Sequence, residues 1–328
     1  MILAADIGGT KTVLALFDEH QKQLEAVRQE TFPSRAFPEF GEVLEKFLGT
    51  SPPAIRVACF GVAGPIADGR VQTTNLPWVL DEQALARSLH AERVYLLNDL
   101  QAAAIGMQHL KPHEFHELQM AQAQPAPGHA VLLAAGTGLG AAVLYWDGQR
   151  HVAMASEGGH SDYAPESEQE IELWRYLQRQ HGHVSYERAL SGPGLYNIYC
   201  FLRDSGFAEE PGWLKEKIQS TTPSTAAVTE VGLANGHPLC SESLSLFARI
   251  YGAAAGNLAL WVMARGGVYI GGGIAPRILP KLADGSFMKG FTDKGRYKSL
   301  METLPVRVAL NSLAPLLGAA ECARASLR

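Results

Sequence analysis

At 328 residues, 47% hydrophobic and 19% charged, the sequence has room for two packed domains and excludes a disordered or low-complexity chain. A formal charge of −5, from 28 Lys and Arg against 33 Asp and Glu, excludes a global attraction to nucleic acid or anionic lipid, so a bound phosphate must be held locally. The four cysteines, Cys59, Cys200, Cys240 and Cys322, form no CxxC pair and read as reduced thiols. The first five residues meet Asp6 too early for a secretory signal, and Gly136, Gly138 and Gly140 interrupt the uncharged run 130–146, so a cytoplasmic chain with no membrane partner is expected.

In chain order, residues 2–5 and 12–17 are short apolar strands joined by Asp6-Ile7-Gly8-Gly9-Thr10-Lys11, a hairpin. Residues 57–62 read as a buried strand, 81–89 as a helix, 94–97 as a strand and the Ala-rich stretch 99–107 as a helix. At 130–147 the first pattern returns: apolar run 131–135, glycine turn Gly136-Thr137-Gly138-Leu139-Gly140, apolar run 141–145. Its shape alone fits either a duplication or two unrelated hairpins. Helical periodicity covers 168–180 and, after a break at Gly182-His183-Val184-Ser185, resumes over 185–190; Ser191-Gly192-Pro193-Gly194 reads as a turn. Residues 207–238 look like an irregular surface excursion, and 241–264 a long buried helix. Strand 268–270 leads into Gly271-Gly272-Gly273, and a last strand at 306–310 precedes a helix at 314–325.

Three glycine turns thus follow apolar strands, and glycine lets backbone N–H groups approach an anion, although it is also the default residue of any tight turn. No G-x-x-x-x-G-K-[ST] is present, and neither hairpin turn has G-x-G-x-x-G spacing or enters a helix, so a P-loop and a dinucleotide fold are excluded. Phosphate held by β-hairpin turns remains. Asp99, where a strand hands over to a helix, suits an N-cap; the same place suits a base, because the helix dipole keeps its carboxylate charged. Glu157 and His160 frame a double glycine, which fits a solvated loop or a ring-binding loop with hydroxyl acceptors. Two histidines, His181 and His183, with no third ligand nearby do not make a zinc site.

The paired hairpins resemble the two phosphate motifs of the hexokinase, Hsp70 and actin superfamily, and Gly271-Gly272-Gly273-Ile274-Ala275-Pro276 resembles its adenosine motif. Leu97-Asn98-Asp99, Glu157-Gly158-Gly159-His160, residues 182–188, Leu190-Ser191-Gly192-Pro193-Gly194 and Thr74-Asn75-Leu76-Pro77-Trp78 resemble the bacterial glucokinases outside the ROK group, whose cysteine-rich zinc motif has no counterpart here. The resemblance implies an α/β, duplicated actin-like ATPase (ribonuclease H-like) fold with two domains around a cleft, residues 1–109 plus 305–328 and residues 110–304. It implies transfer from ATP to the glucose 6-hydroxyl with Asp99 as base, and Asn75, Asn98, Asp99, Glu157, His160 and Glu187 on the sugar. ATP would be held by Ala5, Asp6, Ile7, Gly8, Gly9, Thr10, Gly136, Thr137, Gly138, Gly271, Gly272 and Gly273, with Asp6 organising Mg²⁺ through water. A homodimer is the implied assembly. The same machinery would serve another hexose or an amino sugar, and a non-catalytic sugar sensor would be expected to add a DNA-binding segment.

Overall fold

The computed structural model describes residues 1–20, 23–120 and 127–327. The chain divides into one compact unit of residues 1–112, 152–155 and 311–328 and a second of residues 113–151 and 156–310.

The first unit holds β1 (Ile2–Ile7), β2 (Lys11–His20), β3 (Gln23–Pro33), α1 (Phe40–Leu48), β4 (Val57–Val62), β5 (Arg70–Gln72), β6 (Val79–Asp81), α2 (Glu82–Leu89), β7 (Arg93–Asn98) and α3 (Asp99–Met107). Its five-stranded sheet runs β3-β2-β1-β4-β7, with β1 antiparallel to β2 but parallel to β4, and β4 parallel to β7. Alternate residues of β1 face opposite ways, as strand geometry requires. Leu3, Ala5 and Ile7 pack with Phe40, Phe47, Phe60 and Trp78 on one side, whereas Ile2 and Ala4 pack with Val57, Cys59 and a helix from the chain's end on the other.

The second unit begins with β8 (Phe115–Gln119), β9 (Ala130–Ala135) and β10 (Leu139–Trp146); β11 (His151–Ser156) follows, its residues 152–155 counting with the first unit, then α4 (Glu168–His181), α5 (Gly192–Asp204), α6 (Gly212–Ser220), α7 (Ser224–Leu233) and α8 (Pro238–Val262). β12 (Gly267–Gly271), α9 (Leu279–Leu282), α10 (Ser286–Thr292), α11 (Lys298–Met301) and β13 (Val306–Ala309) follow, and α12 (Ala314–Ala325) returns to the first unit. The six-stranded sheet runs β11-β10-β9-β12-β13-β8. β9 is antiparallel to β10 and parallel to β12, which is parallel to β13, so the hairpin-plus-parallel-strands pattern of the first sheet is built twice. The repeat at 130–147 is therefore a duplication, as the resemblance implied.

Close backbone contacts fix the helices. A Cβ on Gly106 of α3 would lie 1.8 Å from the Ala314 carbonyl oxygen, and one on Gly318 of α12 would lie 1.8 Å from that of Ala102, so only glycine permits this crossing. α8 is buried along most of its length, and Gly252 leaves room for the Phe287 carbonyl of α10.

Four expectations are corrected. The supposed turn Ser191–Gly194 is the start of α5: Ser191 Oγ accepts the Gly194 N–H at 2.9 Å, and Pro193 sits in the first turn, where its missing N–H costs nothing. Residues 207–238 are not irregular, since α6 and α7 begin just after Pro211 and Pro223. The helical stretch at 185–190 shrinks to one 3₁₀ turn, Tyr186–Arg188. The last strand, expected with the N-terminal domain, is β13 and pairs with β12 and β8 in the second sheet.

Candidate active site

In the first unit the parallel strands β1, β4 and β7 end together, because Ile7, Val62 and Asn98 are in register. Ligands of open α/β sheets bind outside such carboxyl ends. Asp6 and Asp99 both lie at this edge. Burial, and next the nearby Asp99 charge, push the Asp6 carboxyl from its ordinary 3.8 up to about 6, with Lys11 pulling the other way.

The turn after β1 is held from outside itself. The Gly8 N–H bonds the Lys11 carbonyl at 3.0 Å, Ser34 Oγ donates to the Gly8 carbonyl at 2.7 Å, and the Ser34 N–H donates to the Thr10 carbonyl at 3.1 Å. Thr12, fully buried, shares a hydroxyl–hydroxyl bond of 2.9 Å with Ser34. These two residues were not legible as site residues, since nothing in their spacing links positions 12 and 34. The side chains of Ala5 and Ile7 are buried in the core, which leaves only their main chain for a ligand. Gly9 lies against Asn75: a Cβ there would be 2.6 Å from the Asn75 Cβ.

Asp99 is not the N-cap. Asn98 is, its Oδ1 accepting the N–H groups of Leu100 at 3.0 Å and Gln101 at 3.3 Å, while Asp99 is the first helical residue and accepts from Leu100 at 2.8 Å. Asn98 thus takes the capping duty and leaves Asp99 in the helix's first turn, where the dipole favours a carboxylate. Gly61 of β4 approaches this turn closely, with an added Cβ 3.9 Å from the Asp99 Cα and 3.0 Å from the Ala102 Cβ.

In the second unit the turn between β9 and β10 closes through the Gly136 N–H and the Gly138 carbonyl at 2.8 Å, and the Gly136 carbonyl accepts the Gly192 N–H of α5 at 2.8 Å. Glu187 Oε2 accepts the Leu139 N–H at 2.9 Å, and its backbone carbonyl accepts Ser191 Oγ at 2.8 Å. His160 stands between two carboxylates, Nε2 4.0 Å from Glu157 Oε2 and Nδ1 4.0 Å from Glu187 Oε1. The double glycine lets this loop press on β10, since a Cβ at Gly159 would be 1.9 Å from the Leu139 carbonyl oxygen. Glu157, His160 and Glu187 are therefore brought together.

The third turn is fastened to the second. Gly272, at φ +81°, would carry a Cβ only 2.2 Å from the Ala135 carbonyl oxygen, which accepts the Ile274 N–H at 3.1 Å. The buried Tyr251 hydroxyl of α8 accepts the Ala135 N–H at 3.1 Å and lies 3.0 Å from the Leu133 and 3.2 Å from the Gly271 carbonyl oxygens. Gly136, Thr137 and Gly273 line one cavity of about 910 Å³, whose other walls include Pro193, Tyr196, Ser224, Thr225, Thr229 and Arg277. Gly138, Gly271 and Gly272 are not on its lining, and the α5 and α7 walls were missed because both segments read as loop.

A sheet built twice with a glycine turn at each hairpin, and carboxylates near both, defines the actin-like ATPase class to which sugar kinases belong. A family model described as Glucokinase matches residues 3–326. The glucokinase of Synechocystis sp. is 41% identical over 349 residues, covering 99% of this chain and 98% of the relative, and that of Nostoc punctiforme is 40% identical over 338 residues, covering 98% of each. The crystal structure of a glucokinase from an Antarctic psychrotroph matches with a TM-score of 0.83 at 30% identity, covering 99% of this chain and 98% of that one. The chain belongs to the glucokinase family, whose members are ATP-dependent sugar kinases. No helix among the described residues is long and apolar enough to cross a membrane.

Proposed function

We propose that the protein phosphorylates D-glucose at the 6-hydroxyl, with ATP as donor, giving glucose 6-phosphate and ADP. Asp99 accepts the proton of the 6-hydroxyl as that oxygen bonds to the γ-phosphorus and the bond to the β–γ bridging oxygen breaks. Its place in the first turn of α3 puts the carboxylate where the helix dipole favours the charged form. Asn75, Asn98, Glu157, His160 and Glu187 take the remaining hydroxyls, as fixed acceptors and donors do in sugar sites. Phosphoryl transfer demands mostly positioning and charge neutralisation. The turns after β1 and β9 supply N–H groups, with Thr10 and Thr137 adding hydroxyls, and the cavity bounded by Gly273 takes the adenosine.

The residues fit a magnesium ion held largely through water. Asp6 and Asp99 are hard oxygen donors whose mutual repulsion a cation relieves, and Mg²⁺ commonly uses only one or two carboxylates beside the phosphates. Asp6 would hold it, and bound there it would neutralise charge building on the phosphate oxygens. A homodimer in the cytoplasm completes the proposal, supported by four unpaired thiols and by exposed Trp261 and Met263 at the end of α8, which offer an apolar contact.

The observation that carries the proposal is the grouping of Glu157, His160 and Glu187 beside the second glycine turn, in a chain matched to the glucokinase family over residues 3–326. Asp99→Ala is expected to lower kcat by about 10²- to 10⁴-fold, the range typical of a lost general base, with glucose affinity by calorimetry nearly unchanged. Near-normal turnover would remove Asp99 from the chemistry.

A further inference from the structure

Glu187 does two jobs with its two oxygens. Oε1 faces His160 at 4.0 Å, on the side where the sugar acceptors gather. Oε2 is turned away from them and accepts the Leu139 N–H at 2.9 Å, at the point where the second glycine turn becomes β10. The fit is close: a Cβ on Gly138 would lie 2.5 Å from the same Oε2, so the glycine leaves the space this carboxylate occupies. The residue is tied to the turn by a second route, since its carbonyl accepts Ser191 Oγ at 2.8 Å, and the Gly192 N–H beside that serine bonds the Gly136 carbonyl at 2.8 Å.

We infer that Glu187 is a positioning residue for the nucleotide turn as well as a sugar acceptor, and that it couples the two ligands through one carboxylate. Resting on the glucokinase proposal above, this goes beyond it: the group that contacts sugar also sets the conformation of the turn that contacts phosphate. Movement of Oε1 toward a sugar hydroxyl must rotate Oε2 against the Leu139 N–H, because the two oxygens share one rigid plane. Ordering of the turn by a nucleotide conversely fixes the carboxylate for the sugar, since linkage between two binding equilibria is reciprocal.

The test uses binding of each ligand with the other absent. Glu187→Ala removes the acceptor for the Leu139 N–H, and loss of a partner for a part-buried donor is expected to weaken a non-hydrolysable ATP analogue by about tenfold in sugar-free protein. Glu187→Gln keeps an acceptor oxygen for that N–H, so analogue affinity should return to within about twofold of wild type while glucose affinity stays weakened. Gly138→Ala approaches the contact from the nucleotide side and should weaken glucose binding in nucleotide-free protein. Calorimetry reads all three, with thermal melting to show that each variant is folded. Analogue affinity unchanged in Glu187→Ala, or equally reduced in Ala and Gln variants, would overturn the positioning role while leaving glucose phosphorylation intact. A wild-type protein that bound glucose but no ATP analogue would overturn the proposed function, and the coupling with it.

Discussion

Asp6 is a carboxyl whose burial gives it a pH-dependent effect on stability. A carboxyl whose pKa is raised on folding, here from 3.8 to about 6, binds its proton more tightly in the native state than in the unfolded one. Its contribution to stability is therefore full below the unfolded pKa and is lost as pH rises through about 6. At about 1.4 kcal/mol per unit, ionised Asp6 costs the ligand-free protein up to roughly 3 kcal/mol, an upper bound because the side chain keeps some solvent exposure. Asp6→Asn should melt at a higher temperature than wild type at pH 8, with the gap closing toward pH 4, while kcat falls. A variant less stable than wild type at pH 8 would show that the Asp6 charge is not held against burial and the Asp99 charge. A carboxylate proposed to hold the metal would then be kept at the expense of stability, a common trade-off.

The elements that place these residues depend on a few close crossings. Gly318→Ala would set a methyl group 1.8 Å from the Ala102 carbonyl oxygen, so α3 and α12 must separate. Overpacking of this kind costs about 1 to 3 kcal/mol, and because Asp99 begins α3, kcat should fall along with the melting temperature. Unchanged kcat in a destabilised variant would mean that Asp99 is positioned by β7 and not by the helix. Tyr251→Phe removes the hydroxyl that fastens Ala135 to Gly271 and strands the buried Ala135 N–H, at a cost of about 1 to 3 kcal/mol. The KM for ATP should rise severalfold and by more than the KM for glucose, and equal rises in both would contradict a place for Tyr251 on the nucleotide side.

Elements with a clear period were legible in the sequence. The hairpins at Asp6–Lys11 and Gly136–Gly140, the strand β4, the long helix α8 and the final helix α12 follow from apolar runs and small-residue stretches. Helices α5, α6 and α7 were not, because the prolines and glycines that punctuate a loop also stand at helix starts: Pro193 in the first turn of α5, and Pro211 and Pro223 at the N-caps of α6 and α7. Tyr251 was hidden for a different reason. It sits within an apolar helix where an aromatic reads as core, and its polar use comes from two residues of β9, 116 and 118 positions away in sequence. Asn98 was recognised but its capping role went to Asp99, since both types cap well and the handover from strand to helix is blurred by one residue.

At the scale of the whole chain, duplication explains why so few motifs carry so much. Each sheet brings a glycine turn to the end of its hairpin, and the match to the glucokinase family spans both sheets. The net charge of −5 offers no global attraction to phosphate, so any affinity for a nucleotide has to be built locally. Sugar preference was the least legible property, because the residues proposed for the sugar, such as His160 and Glu187, meet only in the folded chain. The most direct measurement is kcat/KM with ATP across glucose, mannose, fructose and glucosamine, read by ADP release in one coupled assay. Glucose should give the highest value. A higher value for another of these sugars, or no sugar-dependent ADP release, would contradict the assignment of glucose as substrate.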